Sequence, residues 1–420
     1  MNGPGSGRTT RWLARTVVMI PVVMIPVMVL GLGGCQAEDR PLPPAVGTSQ
    51  SPARPPAEPD AHFTIVAGGD VLPHMPVLTS ARTADGYDFT PLLAGLDPWV
   101  SGADLALCHM EIPVAPPGSQ PSGYPVFGTV PEVVRDLAEQ GWDGCSTASN
   151  HAVDRGQAGL DATIDAFDAA GLGHVGTARS EAEDTPALYR LERAGRTFTV
   201  AHLAVTYGTN GMPVAHPWSV DLVDVDAVVA RATQARTDGA DLVLVSVHCC
   251  TEYVTAPTAQ QVDVATALAD SGVVDLVIGH HAHVPQPVEL LPGGPDGQGM
   301  WVAYGLGNYV SNQDAACCAA ATSNGQLLVV QVTATGADPA AGAEAGPPRV
   351  TSAAYLPNTV DRLGRHLVYA LPAIPDGTSH LSASEVATRL SQVVSAAGPQ
   401  APVATTPPTP TGDPPVVVKR

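Results

Sequence analysis

Lysine is almost absent from this 420-residue chain: Lys419 is the only one, and arginine supplies the other 19 of the 20 cationic side chains. Against them stand 40 acidic residues, so the formal net charge is −20. A chain so poor in positive charge lacks the basic surface that nucleic-acid binding requires, and no nucleic-acid partner is expected. A long uninterrupted apolar run is also missing. The strongest, 17–32, is broken by Pro21 and Pro26 and is short for a spanning helix. No repeat of solenoid period occurs, and none of the seven cysteines has C-x-x-C spacing. What is present is 45% hydrophobic residues, which excludes a wholly disordered chain. The length suffices for a sizeable core without staples.

Arg8, Arg11 and Arg15 precede the apolar run, the pattern of a secretory leader. The run closes on Leu32-Gly33-Gly34-Cys35, which resembles a bacterial lipobox, where cleavage falls before the cysteine and its thiol takes up diacylglycerol. Residues 1–34 are therefore expected to be a lipoprotein signal peptide and Cys35 the lipidation site. The body would then sit on the extracytoplasmic face of the cell membrane, held by its lipid. Losing the leader removes three Arg and no acid, which takes the net charge from −20 to −23. Residues 35–61 read as a Pro-rich tether and 62–375 as the main domain. Residues 376–420 read as a helix at 383–395 followed by a Pro-rich disordered tail.

Within the body, β-branched apolar runs predict strands at 63–67, 105–108, 144–147, 197–205, 242–247, 276–278, 301–304, 327–333 and 350–355. Helical periodicity marks 130–140, 157–170, 225–237 and 259–271. This alternation predicts an α/β layered domain. Polar residues gather where the strands end: Asp70, Glu111, Asn150 with His151, His248, the group His280, His281 and His283, and Asn308. Open α/β sheets bind ligands outside the carboxyl ends of their strands. Carboxylate oxygens, neutral imidazoles and an amide oxygen together suit divalent Mn, Fe or Zn. Two such ions about 3.5–4 Å apart, bridged by a carboxylate, activate a hydrolytic displacement, and a neighbouring His can protonate the leaving group.

The blocks GGDVL (68–72), HMEIP (109–113), STASNHAVDRGQAGLDAT (146–163), HCCTEY (248–253), APTAQQ (256–261), DLVIGHHAHVPQPVE (275–289) and YGLGNYV (304–310) resemble the CapA-type poly-γ-glutamate capsule synthesis proteins, within the calcineurin-like metallophosphoesterase superfamily. The resemblance implies an α/β/β/α sandwich with mixed sheets and one or two divalent metal ions. It makes Asp70 the first ligand, Glu111 the bridging carboxylate, Asn150 an amide ligand and His248 an isolated ligand. His281 and His283 form the H-x-H pair, with His280 competing for the same register. His151 would face the scissile group, and Asp154 would orient it. Asn308 is expected to fix a loop beside the site. His62, His74, His174, His202, His216 and His366 match no position of the family and are read as structural.

Three departures stand out. Leu72 occupies the superfamily's usual His position, His109 stands where the family has Asn, and Cys249-Cys250 replace Trp-Gly. His109 either adds a ligand or simply replaces an amide. Outside the cytoplasm, paired cysteines read as disulfides. A bridge between Cys249-Cys250 and Cys317-Cys318 is expected at the rim, while Cys108 and Cys145 either pair or stay buried as small hydrophobes. The resemblance implies work in capsule or envelope polymer assembly, with the polymer or its synthase complex as partner. A polyanion would need the metals or a local patch such as Arg155 and Arg179, because the net charge repels it. The alternatives are a metal-dependent hydrolase unconnected with capsule, or a non-catalytic partner of a membrane polymer synthase.

Overall fold

The computed structural model describes residues 56–418; the expected leader, Cys35 and most of the tether lie outside the described residues. The first stretch runs β1 (Ala61–Val71), α1 (Met75–Ala81), α2 (Thr90–Leu93), α3 (Asp97–Val100), β2 (Leu105–Met110), α4 (Glu132–Gln140), β3 (Gly144–Ser146), α5 (Gly156–Ala170) and β4 (Gly173–Val175). The second runs β5 (Ala187–Arg193), β6 (Arg196–Thr206), α6 (Val225–Thr237), β7 (Leu242–His248), α7 (Ala259–Asp270), β8 (Leu276–His280), β9 (Val288–Leu291), β10 (Met300–Ala303) and β11 (Asn308–Val310). The last comprises β12 (Asn324–Ala334), β13 (Arg349–Asp361), β14 (Leu367–Ala370), α8 (Ala383–Ala397) and β15 (Val416–Val418).

Two mixed sheets result. The first has the order β14-β13-β12-β1-β2-β3-β4, with β11 also pairing with β1. The second has the order β15-β5-β6-β7-β8-β10-β9. Strands β1 to β4 are mutually parallel, as are β6, β7, β8 and β10. The period-2 alternation of side chains sorts each strand between two apolar layers. On β1, Ile65 and Ala67 enter the layer between the sheets, while Val66 faces the outer helices. On β7, Leu242 and Leu244 take the inter-sheet layer, and Val243, Val245 and Val247 pack towards α6 and α7. Burial on both faces explains why these strands read as continuous apolar runs. The α/β/β/α sandwich expected from the sequence is the observed architecture.

An aspartate stands one residue before each of four parallel strands and accepts the amide of a neighbouring strand. Asp104 accepts from Thr64 at 2.8 Å and Asp143 from Ala106 at 2.7 Å. Asp241 accepts from Thr199 at 2.7 Å and Asp275 from Val243 at 2.6 Å. These acids satisfy amides at the amino ends of the sheets, while the ligand-type residues crowd the carboxyl ends. Cys108 and Cys145, register partners on β2 and β3, form a disulfide.

The C-terminal segment corrects an expectation. The Pro-rich stretch after α8 does not trail away. Tyr355 donates to Pro402 O at 3.0 Å, Ala404 donates back to Tyr355 O at 2.7 Å, and the Thr411 amide reaches Asp104 at 2.7 Å. Strand β15 then pairs antiparallel with β5, at the edge of the second sheet. Prolines remove backbone donors but keep their carbonyls, so such a chain can still cover an edge that needs partners. Helix α8 likewise buries Val386 and Val393 in the inter-sheet layer, so residues beyond 375 belong to the same packed body.

Candidate metal centre

Strands β1 and β2 are parallel neighbours, with Asp70 opposite His109. The ladder slips between Ala67 and Asp70, which re-aims the end of β1. Gly69 lies so close to Gly307 that a Cβ would sit 2.1 Å from that residue's carbonyl oxygen, so no side chain fits where β11 meets β1. Asp70, His109 and Glu111 are each 0% exposed. From β3 onward the chain adds Asn150, His151 and Asp154, all buried. Asp154 lies 2.8 Å from His151 Nδ1 and also accepts the Phe127 amide at 2.7 Å, so the imidazole is held from behind as expected.

The second sheet ends two strands here: β7 on His248 and β8 on His280. His281 and His283 lie in the bends beyond β8, with left-handed φ of 80° and 56°. That conformation is costly for non-glycine residues, and it is the kind of strain found where side chains are aimed at a site. It brings the His281 amide to 3.3 Å from Asp70 Oδ2 and His283 Nδ1 to 3.1 Å from the same oxygen. His283 Nε2 lies 3.4 Å from Glu111 Oε1. Asn308 accepts from His283 Nδ1 at 3.1 Å and is itself tied to Thr322 O and Gln313, so it fixes the loop as expected. His248 Nε2 and Asn150 Oδ1 meet at 2.9 Å, and the His248 and His281 rings are 4.7 Å apart.

Two fully buried carboxylates with no arginine or lysine beside them are costly. Among the described residues, the ion-pair partners of Asp70 and Glu111 are histidines alone. Burial pushes the Glu111 carboxyl well above its usual range, against the opposing pull of His283. Burial acts the same way on Asp70, but His280 and His283 outweigh it and hold that carboxyl well below the usual range. His283 resists burial because Glu111 and Asp70 face it, and is pushed up to about 10. Burial and the neighbouring His283 bring His281 down to about 3. Burial, with His281 next to it, holds His248 well below its ordinary value. Asp70 Oδ1, both Glu111 oxygens, His248 Nδ1, His281 Nδ1 and both His280 nitrogens have no hydrogen-bond partner. Buried polar atoms are normally paired, so this set fits divalent cations. Three ligand groups have atoms within 4.8 Å of one another: Asp70–Glu111–His283, Glu252–His281–His283 and Asp70–His109–His280.

The sequence profile of the bacterial capsule synthesis protein family PGA_cap matches residues 64–313, which carry every one of these side chains. The chain belongs to the PGA_cap family. It is 31% identical to the capsule biosynthesis protein CapA of Bacillus anthracis over 43% of each chain. It is 28% identical to the PGA biosynthesis protein CapA of Bacillus subtilis over 43% of this chain and 46% of that one. The chain thus spans less than half the length of these two curated relatives. A "probable polyglutamine synthesis accessory protein" of Mycobacterium tuberculosis is 26% identical over 66% of this chain and 76% of its own. Among solved structures, a 5'-nucleotidase precursor from Thermus thermophilus aligns with a TM-score of 0.41 and 15% identity, covering 64% of this chain and 51% of that one.

In this PGA_cap chain the departures noted above have structural consequences. Leu72 is buried against Ile112 and Phe127 in a small apolar cluster, so its position offers no ligand. His109 turns into the site, its ring stacked 4.1 Å from His280. The expected rim bridge is absent: Cys249 and Cys250 are joined to each other, and Cys317 and Cys318 are free. Arg179 makes no open anion patch, because Asp165, Asp168 and Glu183 already bind it, while Arg155 is spent on Gln120 O and Ser122. Of the residues read as structural, His202 bonds Ser246 at 2.9 Å and His366 bonds Ser80 and Asn312. Glu252 is the residue that sequence reasoning missed. Its signal was present: an acid four positions after His248, inside a block that follows a ligand-bearing strand.

Proposed function

We propose that this chain is an extracytoplasmic lipoprotein of capsule or envelope polymer biosynthesis, whose metal centre hydrolyses a phosphoester or a related ester or amide bond. The observation that carries this reading is the meeting of Asp70, Glu111 and His283 at 3.1–3.4 Å in a fully buried place with unpaired ligand atoms. The names of the relatives, which speak of capsule and polyglutamine synthesis, support the polymer role. The leader ending at Cys35 supports the lipid anchor on the outer face of the membrane. The same names support a partnership with the polymer or its synthase complex.

Asp70, Glu111 and His283 would hold one divalent ion, and Asn150, His248 and His281, which lie together beside them, would be the donors for a second. Mn, Fe and Zn all suit these donors. Bound there, such ions supply Lewis-acid polarisation of the scissile group. The protein's own part is to orient. Asp154 holds His151 at Nδ1 and so aims Nε2 for proton transfer to the leaving group. Asn308 fixes His283 Nδ1 and leaves Nε2 directed towards Glu111. Phe127, edge-on to His151 at 4.7 Å, keeps that imidazole from swinging.

The test is metal content and hydrolysis of a phosphoester panel by the purified chain. Turnover should vanish with chelator and return with Mn or Zn. His151→Gln should lower turnover by about 10²–10⁴-fold with metal content unchanged. Metal retained without turnover on any ester or amide, poly-γ-glutamate included, would reject the hydrolase and leave an assembly partner. Mass spectrometry of the mature N-terminus should find diacylglycerol on Cys35, and Cys35→Ala should abolish it.

A further inference from the structure

The hydrolytic reading uses Asp70, Glu111, Asn150, His248, His281 and His283, and leaves two imidazoles without work. His109 is 0% exposed and His280 is 1% exposed. Core histidines usually bury themselves with both nitrogens satisfied, as His366 does with Ser80 and Asn312. His109 and His280 are different. His109 Nδ1 is bonded to Ser146 Oγ at 2.8 Å, which leaves Nε2 with no partner. Neither nitrogen of His280 has a hydrogen-bond partner; its Nδ1 faces Asp70 Oδ1 at 3.3 Å as an ion-pair contact, and that oxygen accepts no hydrogen bond either. Buried donors and acceptors are normally matched, and here four atoms without a hydrogen bond share one place.

We propose that Asp70, His109 and His280 form an additional divalent-cation position, joined to the Asp70–Glu111–His283 cluster through the two oxygens of Asp70. Ligand atoms of the three residues lie within 4.8 Å of one another. The 3.3 Å separation of Asp70 Oδ1 and His280 Nδ1 matches the ligand-to-ligand edge of a tetrahedral shell, about 3.3 Å for bonds of roughly 2.0–2.1 Å. Asp70 divides its oxygens: Oδ1 towards His280, Oδ2 towards His283 and the His281 amide. One carboxylate can therefore serve two positions. Ser146 supports the role of His109, because an ion on Nε2 places the proton on Nδ1, which then donates to the hydroxyl. The rings of His109 and His280 stack at 4.1 Å with 17° between their planes, an arrangement that suits two neutral imidazoles and so the ligand form. Two imidazole nitrogens and one carboxylate oxygen select a borderline ion such as Zn²⁺, with Co²⁺ as a spectroscopic substitute. The register supports the position: His109 stands opposite Asp70 on the adjacent strand, while Leu72, just past β1, is buried in an apolar cluster and offers no ligand.

This position rests on the reading of the site as a metal centre, and the experiment separates the two. The full chain is stripped with chelator and titrated with Zn²⁺ and with Co²⁺. Bound equivalents are counted by elemental analysis and followed by Co²⁺ absorption. His109→Asn, which restores the family's usual residue, should bind about one equivalent fewer than the parent chain. His280→Ala should lose the same equivalent, and circular dichroism should show both variants folded. Glu111→Gln should keep the His109-dependent equivalent while losing others. Anomalous scattering from crystals of the parent chain should place an ion among Asp70, His109 and His280, which tests the position even if a variant fails to fold. Equal stoichiometry in parent, His109→Asn and His280→Ala, with loss confined to Glu111→Gln, would overturn the additional position and leave the metal centre standing. A parent chain that binds no ion would overturn both.

Discussion

At the strand ends of the first sheet stand Asp70, Glu111 and Asn150; at those of the second stand His248, His280, His281 and His283. One sheet brings oxygens and the other brings imidazoles. Among the ligand candidates each half has one exception: His109 on β2, which joins His280 of the other half, and Glu252 after β7, which joins His281 and His283 of its own half. Two of the three ligand groups, Asp70–Glu111–His283 and Asp70–His109–His280, need residues from both halves. Those two groups meet because the inter-sheet layer of Phe63, Ile65, Leu107, Leu244 and Ile278 packs the two sheets face to face. Binding of cations should therefore be inseparable from intact sheet packing.

The largest effect expected from this division lies with the shared acid. Asp70 belongs to two of the three ligand groups and His281 to one. Asp70→Asn should reduce metal retained after dialysis against a chelator by about 10–100-fold or more, and His281→Gln by less. The reverse order, read by elemental analysis, would show that the imidazoles dominate and break the comparison.

The disulfides sharpen it at the level of stability. Cys108–Cys145 spans 37 positions on the first sheet, whereas Cys249–Cys250 spans one on the second. Constraint of the unfolded chain grows with loop length, so the first bond should contribute about 2–4 kcal/mol and the second almost nothing. Urea unfolding of Cys108→Ala/Cys145→Ala beside Cys249→Ser/Cys250→Ser measures both. Equal losses would mean that chain entropy is not the cause.

A smaller effect separates two of the aspartates at the amino ends. Burial raises Asp143 to about 7, against its hydrogen bond from Ala106. Burial likewise raises Asp275 to about 6, but there Arg236 opposes it. A carboxyl with a raised folded pKa binds a proton that the unfolded chain has already released. Its contribution is therefore full below about pH 4 and is lost as pH climbs towards 7. Asp143→Asn keeps an acceptor for Ala106 and removes this loss. It should raise stability at pH 8 relative to the parent by on the order of 1–2 kcal/mol and change little at pH 4. Asp275→Asn gives up the Arg236 pairing and should gain less. Thermal melts across pH 4–8 decide between these outcomes.

Much of the fold was legible because the central strands are buried on both faces. Their apolar runs at 63–67, 242–247 and 327–333 cannot be mistaken for loops, and each lies inside an observed strand. Strands β4, β11 and β15 were not read, since three residues carry too little periodicity. Strand β5 alternates buried apolar residues with exposed Arg190 and Glu192, which masked it. Pro-rich composition suggested a free tail, because composition counts missing donors and does not see the open edge of β5.

Residue type and order, Asp, Glu, Asn-His, His, then a histidine cluster, were enough to name the ligand candidates. That follows because the chemistry of a donor atom is fixed by the side chain that carries it. What those residues do together depends on distances across up to 213 positions (283 − 70), as between Asp70 and His283, and no local pattern encodes them. The stacking of His109 on His280 was decided by how the sheets pack, and the left-handed turn at His281 and His283, the entry of Glu252 and the separateness of the two cysteine pairs by the course of the loops beyond the strands. The sequence determined which atoms could bind; the packing of one apolar layer decided which of them meet.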